Sequence, residues 1–126
     1  MASLFVMMIL GHLVGDYLLQ NKSMMLKKSE KNFNGVLWCT LHCLIYTAAV
    51  CLFLWTLNPW VILAIFASHW PIDRWSLGAK WMKLIRSRDP KDTSPGNKAF
   101  YPIVYVAVDN TWHLVLMFIA ITLLMQ

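Results

Sequence analysis

The sequence predicts an all-α membrane protein: four transmembrane helices in a compact bundle, N- and C-termini outward, with one interfacial amphipathic helix between helices three and four. Three observations predict this class. Hydrophobic residues make up 59% of the 126 residues and charged residues only 13%, against roughly 45–50% and 25% in soluble domains. Four apolar stretches, about 2–20, 36–56, 59–73 and 102–125, approach or reach the roughly 20 residues of a bilayer crossing. All eleven Lys and Arg lie in two connections: Lys22, Lys27, Lys28 and Lys31 in the first, Arg74, Lys80, Lys83, Arg86, Arg88, Lys91 and Lys98 in the third. By the positive-inside rule those connections face the cytoplasm and both termini face outward.

Each element has its own signals, within a single integral membrane domain, 1–126. The first span begins directly after Met1 with no basic leader and no small-residue cleavage site, so it is expected to be retained. The second and third spans should form a tight antiparallel hairpin, because Asn58 suits a helix cap and Pro59 suits the first helical position. Pro71 removes a backbone donor and should kink or end the third helix. From about 74 to 88, Arg74, Trp75, Lys80, Trp81, Lys83 and Arg86 intersperse cations with apolar residues, as in a helix lying on an anionic leaflet. The stretch from Ser87 to Lys98 reads as a loop. Trp38, Trp55, Trp60, Trp75, Trp81 and Tyr101 suit interfacial anchoring. Cys39, Cys43 and Cys51 are too few and too clustered for a disulfide framework and read as small apolar residues, with Cys39 three residues before His42.

The informative residues are the ionisable ones inside apolar segments. His12 and Asp16, His69 and Asp73, and Asp109 and His113 are pairs four apart, each on one helix face, and His42 stands in the second span. A charge in hydrocarbon costs about 2.5–3.5 kcal/mol on insertion scales, so such residues normally face a protein interior and carry function. At a rise of about 1.5 Å per residue, all seven fall in the cytoplasmic half of the bundle. Gln20, Tyr46, Tyr105 and Asn110 continue the same faces and suit hydrogen-bonding support. Within the apolar segments no Lys or Arg balances the carboxylates, and only Arg74 is close to Asp73 in sequence. Protonation, Asp–imidazolium pairs or a bound cation must therefore do so.

Four imidazoles and three carboxylates form a mixed set suited to a divalent metal, most of all Zn²⁺, with Mn²⁺ or Fe²⁺ as alternatives. Seven ligands exceed the needs of one tetrahedral ion and suit two ions sharing a carboxylate, an arrangement used in phosphate-ester hydrolysis. On this reading His12, Asp16, His42, His69, Asp73, Asp109 and His113 are ligands. Asp16, Asp73 and Asp109 are the catalytic candidates, and Arg74 and Lys80 the candidates for an anionic head group.

The run Gly11-His12-Leu13-Val14-Gly15-Asp16-Tyr17-Leu18-Leu19-Gln20-Asn21-Lys22 resembles the signature of small bacterial and phage membrane proteins grouped as domain of unknown function 3307. Ser68-His69-Trp70-Pro71-Ile72-Asp73-Arg74-Trp75 resembles their second motif, Leu41-His42 their central histidine, and the Asp109–His113 helix their closing segment. More distantly, the pattern is similar to bacterial membrane-bound metal-dependent hydrolases. The resemblance implies a multi-pass protein of the bacterial inner (cytoplasmic) membrane. The expected function is metal-dependent hydrolysis of a phosphate ester or anhydride such as a lipid head group. One rival is a small transporter or proton/ion relay using the same cluster, which at this length would need a homo-oligomer. Another is a non-enzymatic membrane accessory protein that binds a host partner. The expected partners are the lipid bilayer and an anionic lipid or phosphorylated substrate. A nucleic-acid partner is not expected, since the basic residues serve orientation and no binding module is recognisable.

Overall fold

The computed structural model describes residues 3–85 and 88–125. Helix α1 (Leu4–Leu13) starts where the Ser3 hydroxyl accepts from the Val6 N–H at 3.3 Å. It then widens into a π-helical turn, Val14–Leu18, closed by the Leu19 N–H on the Val14 carbonyl at 3.0 Å. A short helix α2 (Lys22–Lys27) is capped by Asn21, which accepts from the Met24 N–H at 2.9 Å. Asn32 caps α3 (Phe33–Leu54) in the same way, through the Gly35 N–H at 2.7 Å. Asn58 caps α4 (Pro59–Trp75), with Pro59 in its first turn. Then follow α5 (Leu77–Leu84) and α6 (Pro95–Leu124).

The four long elements pack as α1 on α3, α3 on α4 and α4 on α6, with α6 returning to α1. Two glycines set the first of these contacts. A Cβ on Gly11 would lie 2.8 Å from the Val50 Cα, and one on Gly15 would lie 2.6 Å from the Tyr46 ring. Gly11 and Gly15 thus form a small-xxx-small stripe that lets backbones approach where side chains could not. Behind it Met8, Tyr46, Val50, Val61, Ile65, Met117 and Ile121 close an apolar core. Outward, Phe5, Leu37, Leu44, Leu52, Ile103, Phe118 and Leu123 are exposed. Helices α3 and α6 are long and apolar enough to cross a membrane, with mean hydropathies of 2.0 and 1.6, while Leu4–Leu18 is a shorter apolar helix.

The structure departs from the sequence reading at several boundaries. The first helical stretch occupies Leu4–Leu18 where about 2–20 was expected, and its expected start at Ala2 lies outside the described residues. Helix α3 starts at Phe33, three residues before the expected 36, because Asn32 supplies a cap. Helix α4 does not end at Pro71 but runs on to Trp75, since Ile72 and Asp73 beyond it are buried against neighbours. Contacts of this kind outweigh the roughly 3 kcal/mol that an internal proline costs. The amphipathic segment is a separate helix, Leu77–Leu84, broken from α4 by Ser76 at φ 49°. Arg86, counted in that segment, lies outside the described residues. Helix α6 begins at Pro95 within the expected loop, because Pro suits a first helical turn. The basic first connection contains α2, which hydrophobic periodicity did not reveal.

Candidate metal centre

Asp16 rides on the π turn, His42 on the middle of α3, and His69 and Asp73 on the last turns of α4. One ligating atom from each of these four lies within 4.8 Å of every other, and all four residues are buried. His42 Nε2 is 3.1 Å from Asp16 Oδ1, 3.0 Å from Asp73 Oδ2 and 3.1 Å from His69 Nε2. His69 Nε2 is 3.6 Å from Asp16 Oδ1 and 3.2 Å from Asp73 Oδ2. Four atoms bound tetrahedrally at about 2.0–2.2 Å would be separated by about 3.3–3.6 Å. Five separations of 3.0–3.6 Å therefore approximate five edges of that tetrahedron.

Hydrogen bonds alone do not satisfy this arrangement. Carboxylate oxygens only accept, and each Nε2 holds at most one proton. Two protons cannot give five contacts one bond each: with both present the His42–His69 contact sets N–H against N–H, and with fewer a lone pair faces a carboxylate. Asp16 Oδ1 is buried with no hydrogen-bond partner among the described residues. A cation among the four atoms would resolve all of these contacts together. A ring that gives its Nε2 lone pair to a cation keeps its proton on Nδ1, and Nδ1 of both His42 and His69 is buried without a partner among the described residues. His69 is held instead by stacking on Tyr46, with ring centroids 3.7 Å apart.

A second group, Asp73, Asp109 and His113, shares Asp73 with the first. His113 Nδ1 lies 2.8 Å from the Asp109 backbone carbonyl, an acceptor, which assigns the proton to Nδ1. In a neutral ring Nε2 then carries the lone pair. It faces Asp73 Oδ1 at 3.4 Å and has no hydrogen-bond partner among the described residues. Asp109 packs against the first turn of α5, where a Cβ on Gly78 would lie 3.3 Å from Asp109 Oδ1.

His12 occupies a different place. Its Nε2 lies 2.9 Å from Asn110 Oδ1 and its Nδ1 2.9 Å from the Tyr46 hydroxyl, so both nitrogens are engaged. Asn110 in turn donates to the Tyr17 hydroxyl at 2.6 Å. His12 Nδ1 also stands 3.4 Å from Asp16 Oδ2, the oxygen that does not face His42. Of the residues expected to give support, Tyr46 and Asn110 thus hold His12, while Gln20 donates to the Asp16 carbonyl at 3.1 Å. Tyr105 is half-buried and, among the described residues, makes no hydrogen bond to the cluster. The Cys39 thiol lies 4.0 Å from Cys43 and 3.8 Å from the Trp70 carbonyl, outside both groups.

The counter-charge to Asp73 corrects the sequence reading. It is Lys28, at the end of α2, whose Nζ sits 2.7 Å from Asp73 Oδ2 and 2.7 Å from Gln20 Oε1. Arg74 makes no ion pair among the described residues and Lys80 is exposed. Burial disfavours the Lys28 charge, but Asp73, helped by Asp16 and Asp109, outweighs it and holds the ammonium above its ordinary pKa. With neutral imidazoles, three carboxylates and one ammonium leave two negative charges, a balance that favours a bound cation. Lys28 is 45 residues from Asp73 and lies on a helix the apolar pattern does not show, and only the Asn21 cap signals that helix.

An all-helical protein with a buried, shared His/Asp cluster of metal-ligating type is thereby defined. The chain belongs to the family described as "Protein of unknown function (DUF3307)", whose model matches residues 4–126. No curated protein and no solved structure matches it.

Proposed function

We propose that the protein is a membrane-embedded, metal-dependent hydrolase acting on a phosphate ester or anhydride, such as a lipid head group, at the cytoplasmic side of a bacterial inner membrane. On this reading α1 with its π turn, α3, α4 and α6 cross the bilayer, and the basic connections are cytoplasmic. The observation that carries the proposal is the near-tetrahedral convergence of Asp16, His42, His69 and Asp73, with Asp16 Oδ1 buried and without a hydrogen-bond partner among the described residues. That donor set suits Zn²⁺ first and Mn²⁺ or Fe²⁺ next, and Asp73, Asp109 and His113 would hold a second ion.

When bound, a divalent ion lowers the pKa of water toward about 7 and polarises a phosphoryl oxygen. The chain's own residues divide the remaining work. His42, His69 and Asp73, on the two helices of one hairpin, would hold the ion throughout. Asp16, on the wider π turn and next to the exposed Tyr17, is the carboxylate that can leave the cluster and accept a proton from water. His12 Nδ1, 3.4 Å from Asp16 Oδ2, is placed to take that proton onward, because the Tyr46 hydroxyl has a second acceptor in Met117 Sδ at 3.6 Å.

The experiment is metal analysis of detergent-purified protein alongside phosphatase assays on phosphatidic acid and on a soluble phosphomonoester. Stoichiometric metal and metal-dependent phosphate release are expected. Metal-free protein that still folds would overturn the reading. The unbroken series of contacts from His12 through Asp16, His42, His69 and Asp73 to His113 also favours a proton relay. Proton flux in liposomes by metal-free protein would select that alternative.

A further inference from the structure

We propose that Lys28 is the anion-receiving residue of the centre: it binds a phosphoryl oxygen of the substrate beside the metal ligands. This rests on the hydrolase reading and adds a specificity-determining residue to it. Among the described residues, Lys28 is the one Lys or Arg in ion-pair contact with a cluster carboxylate. It touches Asp73 Oδ2, the same oxygen that faces His42 at 3.0 Å and His69 at 3.2 Å. An oxyanion bound to this ammonium therefore lies next to the tetrahedral set, within reach of an ion held there.

The ammonium is built to accept such a group. It has three donors, of which Asp73 and Gln20 use two, each at 2.7 Å. The side chain keeps 17% of its surface exposed while Asp73 keeps 2%, which places Lys28 between the buried carboxylate and the outside. Lys28 follows the last residue of α2 and lies in the same connection as Lys22, Lys27 and Lys31, whose combined field draws anions toward this end. Arg74 and Lys80, the candidates from sequence, make no such contact with the cluster.

The shared chemistry is a phosphate group, whether free or carried by a lipid. The test compares wild type, Lys28→Gln and Lys28→Arg for two independent readouts. One is metal content. The other is binding of inorganic phosphate to detergent-solubilised protein and of phosphatidic acid in nanodiscs. Lys28→Gln should keep its metal, since removing a positive charge beside Asp73 favours a cation. It should lose affinity for at least one phosphate probe by on the order of tenfold to a hundredfold, the worth of a charge-assisted hydrogen bond. Lys28→Arg should recover part of that loss. Unchanged binding of both probes by Lys28→Gln overturns the assignment and leaves the metal reading standing. Loss of metal in Lys28→Gln also overturns it, by making Lys28 part of the framework. Wild-type protein without metal removes the hydrolase reading, and this assignment with it.

Discussion

His42 Nε2 and His69 Nε2 face each other at 3.1 Å across the α3–α4 hairpin, and each also faces the same two carboxylates, Asp16 and Asp73. Two ring nitrogens and two carboxylates at these distances call for positive charge among them, which a bound cation or an imidazolium supplies.

Histidine variants should separate into two kinds. His42→Ala and His69→Ala should lose stoichiometric metal. His12→Ala should retain it with affinity reduced roughly 10–100-fold, as for groups that support ligands rather than bind the ion. Metal titration of the three purified variants measures the difference. Equal losses in all three would place His12 among the ligands.

Chelation should lower thermal stability. A ligand present at about 100 times its dissociation constant adds about 2.7 kcal/mol to the folded state. Treatment with a strong chelator should therefore lower the unfolding temperature in detergent, and Zn²⁺ should restore it. In Asp73→Asn, which disables both groups, the chelator should have no effect.

Gly15→Ala should destabilise the protein by about 1–3 kcal/mol, the usual cost of overpacking, because its methyl would lie 2.6 Å from the Tyr46 ring. Gly96→Ala serves as the control. Nothing lies within 4 Å of a Cβ there, so stability should hold or rise slightly. Thermal unfolding of both variants tests the pair.

Lys28 gives the fold an alkaline limit. A basic group whose folded-state pKa is raised adds stability below its ordinary value, and that stability is lost as pH climbs through the folded value. For Lys28 the ordinary value is 10.5, and Asp73 holds the folded value above it despite burial. Wild type should therefore be more stable than Lys28→Gln at neutral pH, and the gap should close only above about pH 10.5. Unfolding temperatures across that range supply the comparison.

Orientation is measurable with a membrane-impermeant maleimide. Lys31→Cys and Lys91→Cys should react from the cytoplasmic side, and Leu57→Cys from the opposite side. The native Cys39, Cys43 and Cys51 are buried and should contribute little background. Labelling of all three introduced cysteines from one side would overturn the four-crossing topology.

Much of the site was legible in sequence because one helical turn brings i and i+4 together. His12 with Asp16, His69 with Asp73 and Asp109 with His113 each stay in contact, at 3.4, 3.2 and 3.4 Å. The Asn58–Pro59 start of α4 was legible for an equally local reason. Depth along the helices also brought residues of different helices into one region, but their individual partners were not legible. That His12 has both nitrogens engaged depends on Tyr46 and Asn110, which lie 34 and 98 residues away. The pairing of Lys28 with Asp73 depends on how α2 folds back. Helix α4 continued through Pro71 because contacts on both sides of it supplied what the backbone lost.

The widened turn at Val14–Leu18 holds one residue more than regular winding would need. An extra residue rotates everything after it by about 100° relative to everything before. The N-terminal segment and the Asp16 carboxylate are thus phased independently, each facing its own neighbours. Shortening this stretch by a single residue would let the coil tighten into ordinary register and swing Asp16 away from His42. A one-codon deletion here would sacrifice the centre while sparing the hydrophobic content that makes the segment a helix.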